Sequence, residues 1–441
     1  MRVHLTSERL ESSSDPERAL ALIVERTMDL DDALAAISVL ERRLYALTLA
    51  DGGGSLAQAI EWYEELAQST AGDVLVDFRL AILRAEAGRL DEVQDAVADW
   101  ETRGDLRLAE AVGAAYLDLS VDPGWPARST VEHLLEPGWF RDRLAARLAR
   151  RLGDVAWLAQ TEEEARARTQ PLLRLIRAFA AAEIVLLAVG AAAALSLFRG
   201  RRRPVAAAPL PPPWRVRDGL VVLVRGGAGG VIVTVALLSV GGWTHRGAPF
   251  IEGVSLPLMY VPVLLLAARR LLAPAGVDFL RGFGLRPERD GGRPLARVAA
   301  LLVGAGIAVD IVLGLISEVA GVPSHWTEWF DEDLAWGGWG IVIASLLGTV
   351  VFAPVLEEIV FRGLLYGTLR RRLGWPLAAV LSALVFAAAH GYGVAGFGSV
   401  FASGVMWAVA YEKTGSVLPG MIAHAANNVS AACAVLALLR V

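Results

Sequence analysis

The sequence predicts an all-α chain: a polytopic membrane helix bundle of about eight spans, preceded by a soluble helical domain. Three observations predict it. With 441 residues of which 55% are hydrophobic and 20% charged, and a mean hydropathy of +0.47, the chain is too apolar for one soluble domain and too charged to lie wholly in a membrane. The charges concentrate in residues 1–170, while the rest runs in apolar stretches long enough to cross a ~30 Å hydrocarbon core. A Pro- and Arg-rich stretch separates the two. The expected organisation is therefore 1–170, a soluble helical domain; 171–218, a first membrane span and linker; and 219–441, a membrane core.

Residues 1–170 read as helices throughout. Ser14-Asp15-Pro16-Glu17 places cap residues before a proline at the first helical position. Ile60, Tyr63 and Leu66 recur at helical spacing, as do Leu80, Ile82, Leu83 and Leu90 around a turn at Gly88. Two amphipathic segments from Phe78 to Trp100, joined at Ala87-Gly88-Arg89, resemble a tetratricopeptide-type hairpin, but no clean 34-residue period repeats it. A partner-binding repeat module and a plain bundle both stay open.

Leu173–Phe198 is the first expected span, closed by Arg199, Arg201, Arg202 and Arg203. Pro204, Pro209 and Pro211-Pro212-Pro213 follow, a composition that suits neither helix nor central strand. Further spans are expected near 219–241, 253–268, 296–316, 339–366, 375–391, 395–411 and 416–439. Arginines cluster in alternate loops, at 199–217, 269–297 and 370–372, which the positive-inside rule places in the cytoplasm. The loop from Glu318 to Trp339 carries Glu328, Asp331, Glu332 and Asp333 among Trp326, Trp329 and Trp336, as suits the outer interface. Continued strictly, this topology puts residues 1–170 outside, although Arg166, Arg168, Arg174 and Arg177 partly balance the count. The formal net charge of −5 says little, since acids and bases are unevenly placed. Cys433 alone forms no internal disulfide, and no secretory signal peptide is evident.

Polar groups inside apolar helices carry the chemistry. A charged side chain at mid-bilayer costs roughly 2.5–3.5 kcal/mol on insertion scales, so such residues persist where they face a bundle interior. The last spans hold Glu357, Glu358 and Arg362; His390; and His424 with Asn428. At ~1.5 Å per residue Glu357, His390 and His424 lie ~20, ~22 and ~16 Å from Arg370, Trp375 and Lys413, so the three helices can meet at one depth. Glu358 and Arg362 are four apart, and pairing is the natural way to bury both. Glu357, about 100° away on an α-helix, is left for other work and suits a general base acting on water, with His390 sharing that water. His424 and Asn428, again four apart, suit the oxyanion of a tetrahedral intermediate. Together they describe peptide-bond hydrolysis without a covalent intermediate. Asp310 reads as a packing or cavity-lining acid, and Arg225 as snorkelling. Each polar group alone also fits a structural reading, as interhelical glue or a buried pair.

Glu357-Glu358-Ile-Val-Phe-Arg362, Phe386-Ala-Ala-Ala-His390 and His424-Ala-Ala-Asn-Asn428 resemble the three motifs of the CAAX prenyl protease and bacteriocin-processing (CPBP) family of intramembrane endopeptidases, over roughly residues 220–441. The resemblance implies a multi-pass cell-membrane hydrolase whose catalytic set is Glu357, Glu358, Arg362, His390, His424 and Asn428. In it the first Glu and first His activate water, and the later His and Asn bind the oxyanion. It also implies membrane protein or peptide substrates, prenylated or bacteriocin-like. Lipid bilayer and substrate are the expected partners, with a protein partner for residues 1–170 and no nucleic acid; no cofactor is required. The N-terminal extension departs from the family core. Three rivals stay open. A zinc protease would use Glu357, His390 and His424 as ligands, without an HExxH motif. A serine protease would use Ser403 with His424, leaving Glu357 idle. A non-enzymatic scaffold or immunity protein with a helical adaptor would tolerate loss of Glu357.

Overall fold

The computed structural model describes residues 15–39, 41–42, 55–70, 72–117, 119, 124–199, 208–241, 248–286, 292–320 and 332–440. His4, Ser14, Arg201 to Pro204, His245, His325, Trp326, Glu328, Trp329 and Asp331 lie outside these. Among the described residues the chain is helical, without strands. It clusters into two compact units, Met1–Ala46 with Gly53–Ala178 and Ala437–Val441, and Leu47–Gly52 with Phe179–Leu436.

The first unit is a succession of amphipathic helices: α1 (Pro16–Ala35), α2 (Ser55–Ser69), α3 (Val74–Glu86), α4 (Leu90–Arg103), α5 (Leu106–Tyr116), α6 (Ala127–Leu134) and α7 (Trp139–Leu152), with the start of α8 (Val155–Arg199). Asp15 caps α1 by accepting from the Arg18 amide, with Pro16 in the first turn; Asp73 caps α3 from the amides of Leu75 and Val76. The hairpin turn between α3 and α4 is made by Gly88 at φ 78°, a conformation that costs a side-chain-bearing residue dearly. Ile60, Tyr63, Leu66, Leu80, Ile82 and Leu83 are buried, as their spacing predicts. Leu90 is not: it opens α4 and is 43% exposed, because the turn at Gly88 resets the helical phase. Arg168, read as a juxtamembrane charge, instead donates to Asp29 at 2.8 and 2.9 Å and to Asp142 at 2.8 Å, neutralising two nearly buried carboxylates.

The helix α8 runs unbroken for 45 residues, with Pro171 inside it. The expected first span is thus the apolar half of a longer helix, and no loop falls at residue 170. In the second unit follow α9 (Val216–Gly241), α10 (Ala248–Ala267), α11 (Phe279–Gly282), α12 (Gly292–Ala320), α13 (Glu332–Trp336), α14 (Trp339–Arg370), α15 (Trp375–Ala388), α16 (Val394–Thr414) and α17 (Leu418–Arg440). Among the described residues seven helices are long and apolar enough to cross a membrane. The chain is a multi-pass membrane protein.

The segment expected as a span near 375–391 is different: α15 has 14 residues, about 21 Å, short of the hydrocarbon core. It begins behind Gly374 and ends where Gly391 takes φ 66°, so the α-helix stops just before His390. Small residues let backbones approach. A Cβ on Gly226 would fall 2.5 Å from the Val263 Cα, and one on Gly190 of α8 2.8 Å from the Gly304 Cα of α12. The proline segment is docked on this unit over the described part of its length: the Trp214 indole donates to Thr368 Oγ1 at 3.0 Å, and Arg371 donates to the Pro212 carbonyl at 3.0 Å. The domain boundaries 1–170, 171–218 and 219–441 stand as a proposal.

Candidate active site

Helix α14 carries the first two carboxylates and is not a plain α-helix. Leu347–Phe352 and Glu358–Tyr366 are π-helical, with i→i+5 hydrogen bonds such as the Ala353 amide to the Gly348 carbonyl and the Gly367 amide to the Arg362 carbonyl. Between them Ala353–Glu357 is α-helical. Glu357 and Glu358 therefore straddle a change of register, the kind of local widening that recurs at functional sites.

Glu358 and Arg362 form a buried pair, 2.7 Å between Oε1 and Nη1 with side chains 0% and 1% exposed. The guanidinium lies over the rings of Phe386 (4.1 Å to the centroid) and Trp407 (4.9 Å). Two glycines make the space: a Cβ on Gly404 would stand 3.0 Å from Arg362 Nη2, and one on Gly420 2.7 Å from Glu358 Oε2. His424 of α17 stacks on Trp407 at 4.6 Å and meets Phe386 edge-on at 5.8 Å. Its Nδ1 is 3.5 Å from Glu358 Oε1 and its Nε2 3.8 Å from Glu357 Oε2.

From the end of α15, His390 Nδ1 lies 2.7 Å from the Phe386 carbonyl, a contact that assigns the proton to Nδ1 because a carbonyl only accepts. Its Nε2 lone pair is then directed elsewhere, and Nε2 is 4.0 Å from Glu357 Oε2. That oxygen is buried and has no hydrogen-bond partner. Two acceptors 4.0 Å apart repel unless a donor lies between them; a water ~2.8 Å from each fits the gap and supplies both protons. Asn428 is placed on α17 one turn beyond His424, and its Nδ2 donates to the Thr349 carbonyl at 2.7 Å.

The structure thus brings Glu357, Glu358, Arg362, His390 and His424 around the Phe386 and Trp407 rings, and sets Asn428 beside the wide turn that precedes them. Trp407, Gly404 and Gly420 belong to the site although no motif marks them; their signal in the sequence is small residues three before an aromatic and four before His424. Asp310 accepts from Ser399 Oγ at 2.5 Å. His133 is exposed on α6, against the Ser129 carbonyl. Ser403 is buried, and the nitrogens of His424 lie 3.5 and 3.8 Å from the two carboxylates.

For zinc the donor set is Glu357, His390 and His424. Bonds of about 2.0–2.1 Å in a tetrahedron set ligand atoms about 3.4 Å apart, whereas Glu357 Oε2 lies 4.0 and 3.8 Å from the two Nε2 atoms. Among the described residues no three His, Cys, Asp or Glu side chains are grouped to hold a metal ion. Glu357 thus stands further from both imidazoles than ligands of one zinc ion would.

Residues 339–430 match the family described as type II CAAX prenyl endopeptidase Rce1-like. A 175-residue stretch is 29% identical to an Escherichia coli protein described as an uncharacterized 24.3 kDa protein, over 38% of this chain and 72% of that protein. No solved structure matches. The family resemblance drawn from the three motifs is thereby shown over residues 339–430, and it supports intramembrane protease activity of the CAAX type in general.

Proposed function

We propose that the chain is an intramembrane endopeptidase that cuts membrane-associated peptides, prenylated or bacteriocin-like, with water activated by Glu357 and His390. The observation that carries this is the unpartnered Glu357 Oε2 facing two imidazole Nε2 atoms at 4.0 and 3.8 Å. Water held between Glu357 and His390 gives a proton to the Glu357 carboxylate as its oxygen attacks the scissile carbonyl carbon. Donors from His424 and Asn428 stabilise the resulting oxyanion. Collapse of the intermediate breaks the C–N bond, and the proton held by Glu357 passes to the leaving amine. Glu358 and Arg362 hold His424 and the wall of the site in place. Glu357 and His390 keep 13% and 22% side-chain exposure. Residues 1–170 supply partner or substrate choice.

The test is Glu357→Gln, which keeps size and hydrogen bonding but removes the base. Membrane peptides are compared between cells carrying the wild type and the variant. Substrates should accumulate uncut while the variant melts like the wild type; near-normal turnover would eliminate the mechanism.

A further inference from the structure

Pro354 stands three residues before Glu357 and two residues past the end of the π-helical segment Leu347–Phe352. In that segment the Ala353 amide donates to the Gly348 carbonyl, five residues back. The next bond of the same kind would run from residue 354 to the carbonyl of Thr349. Proline has no N–H, so that bond is missing and the Thr349 carbonyl is left over. From α17, Asn428 Nδ2 occupies it at 2.7 Å. In an ordinary α register the proline would instead strand the carbonyl of Val350, and Thr349 would pair with Ala353. One residue is about 100° on an α-helix. Proline and register together therefore decide which carbonyl is spare and which way it points.

A carboxamide presents an oxygen and an NH2 of nearly the same shape, and a carbonyl accepts only. Docked on Thr349, the Asn428 amide has its NH2 end fixed toward α14, with one N–H occupied and the second free. We propose that Pro354, through the stranded Thr349 carbonyl, is a positioning residue that sets the rotamer and amide orientation of Asn428 for oxyanion stabilisation. This rests on the reading of Asn428 as an oxyanion donor. The device also ties the helix of the base to the helix of the oxyanion donors, two turns before Glu357.

A mutant cycle on the full-length protein in detergent tests it, with Pro354→Ala, Asn428→Ala and the double variant. Pro354→Ala restores an N–H that can pair within α14 and release Asn428, so kcat should fall about tenfold with KM unchanged, part of the 10²–10³ that a lost oxyanion donor costs. The double variant should be no slower than Asn428→Ala alone, since nothing remains to be positioned. Multiplying effects, or a Pro354→Ala enzyme at wild-type rate, would overturn the proposal. Melting supplies a readout independent of the chemistry: Asn428→Ala should lower Tm in the native background and lower it less beside Pro354→Ala. Equal Tm losses in both backgrounds would refute the Thr349 bond itself, even if Glu357→Gln proved active and the hydrolytic reading failed. Pro354→Ser, which also restores the N–H, should reproduce both results.

Discussion

Removing either partner of the Glu358–Arg362 pair should destabilise the membrane unit far more than removing both. The two side chains are 0% and 1% exposed, joined at 2.7 Å, and lie between helices whose glycines admit nothing larger. Arg362→Met leaves the Glu358 carboxylate buried with His424 as its remaining neighbour and also deletes the cation over Phe386 and Trp407. An orphaned partner of a buried pair costs about 3–5 kcal/mol, and the ring contacts add about 0.5–2 kcal/mol. For a unit of this size about 1 kcal/mol moves Tm by roughly 2–4 °C, so a loss on the order of 10 °C is expected. Glu358→Gln should act similarly by stranding the guanidinium. The double variant replaces two charges by an amide and a thioether, and it should recover at least half of the loss, because no net buried charge remains. Thermal melting of detergent-solubilised protein, with expression level as a second measure, reads all three. Two single variants that melt within about 2 °C of wild type would show that the pair does not hold this site together.

Gly420→Ala sets a methyl 2.7 Å from Glu358 Oε2 and should cost about 1–3 kcal/mol by the same melting assay. In the N-terminal unit, burial, reinforced by the nearby Asp29, pushes Glu25 up to about 8 from its ordinary 4.5, against Arg168 and Arg26. The folded state thus keeps a proton that the unfolded chain loses. The contribution of Glu25 to stability is full below about pH 4.5 and falls as pH rises toward 8, by at most about 1.4 kcal/mol per unit. A fragment ending at Ala178 should show helical circular dichroism, melt cooperatively, and lose this pH dependence on Glu25→Gln; a flat wild-type profile would refute it. Cleavage should survive dialysis against a strong zinc chelator, since the three donors are spaced too widely; restoration by added zinc would reverse that conclusion.

Much of the membrane unit was legible in the sequence, because lipid permits few ways to satisfy a backbone. The expected segment at 416–439 is α17 (Leu418–Arg440), and the one at 395–411 is α16 (Val394–Thr414), each shifted by a few residues. The pairing of Glu358 with Arg362 was readable for a robust reason: residue i+4 falls just past a full turn of an α-helix and just short of a π turn, so the two meet in either register. The shortness of α15 was not readable, since its apolar composition runs on to Ala389 while the chain turns at Gly391. Nor was the role of Arg168. Its carboxylates are 139 and 26 residues away in sequence, and no local pattern joins them.

The wide turns of α14 are where local reading fails and where the site acquires its character. An α-helical phase makes Glu357 simply the neighbour of Glu358, turned away by one residue. The structure gives the two adjacent carboxylates opposite circumstances. Glu358 is bound by a guanidinium, itself held by two aromatic rings, and faces one nitrogen of His424. Glu357 has no Arg or Lys within ion-pair distance among the described residues, only imidazole nitrogens too far for direct hydrogen bonds and near enough for a water between. A carboxylate paired with a guanidinium cannot take a proton from water without giving up that pairing. Of the two, only Glu357 lacks a guanidinium or ammonium partner among the described residues, and the residue that binds its neighbour lies four positions further along the same widened helix.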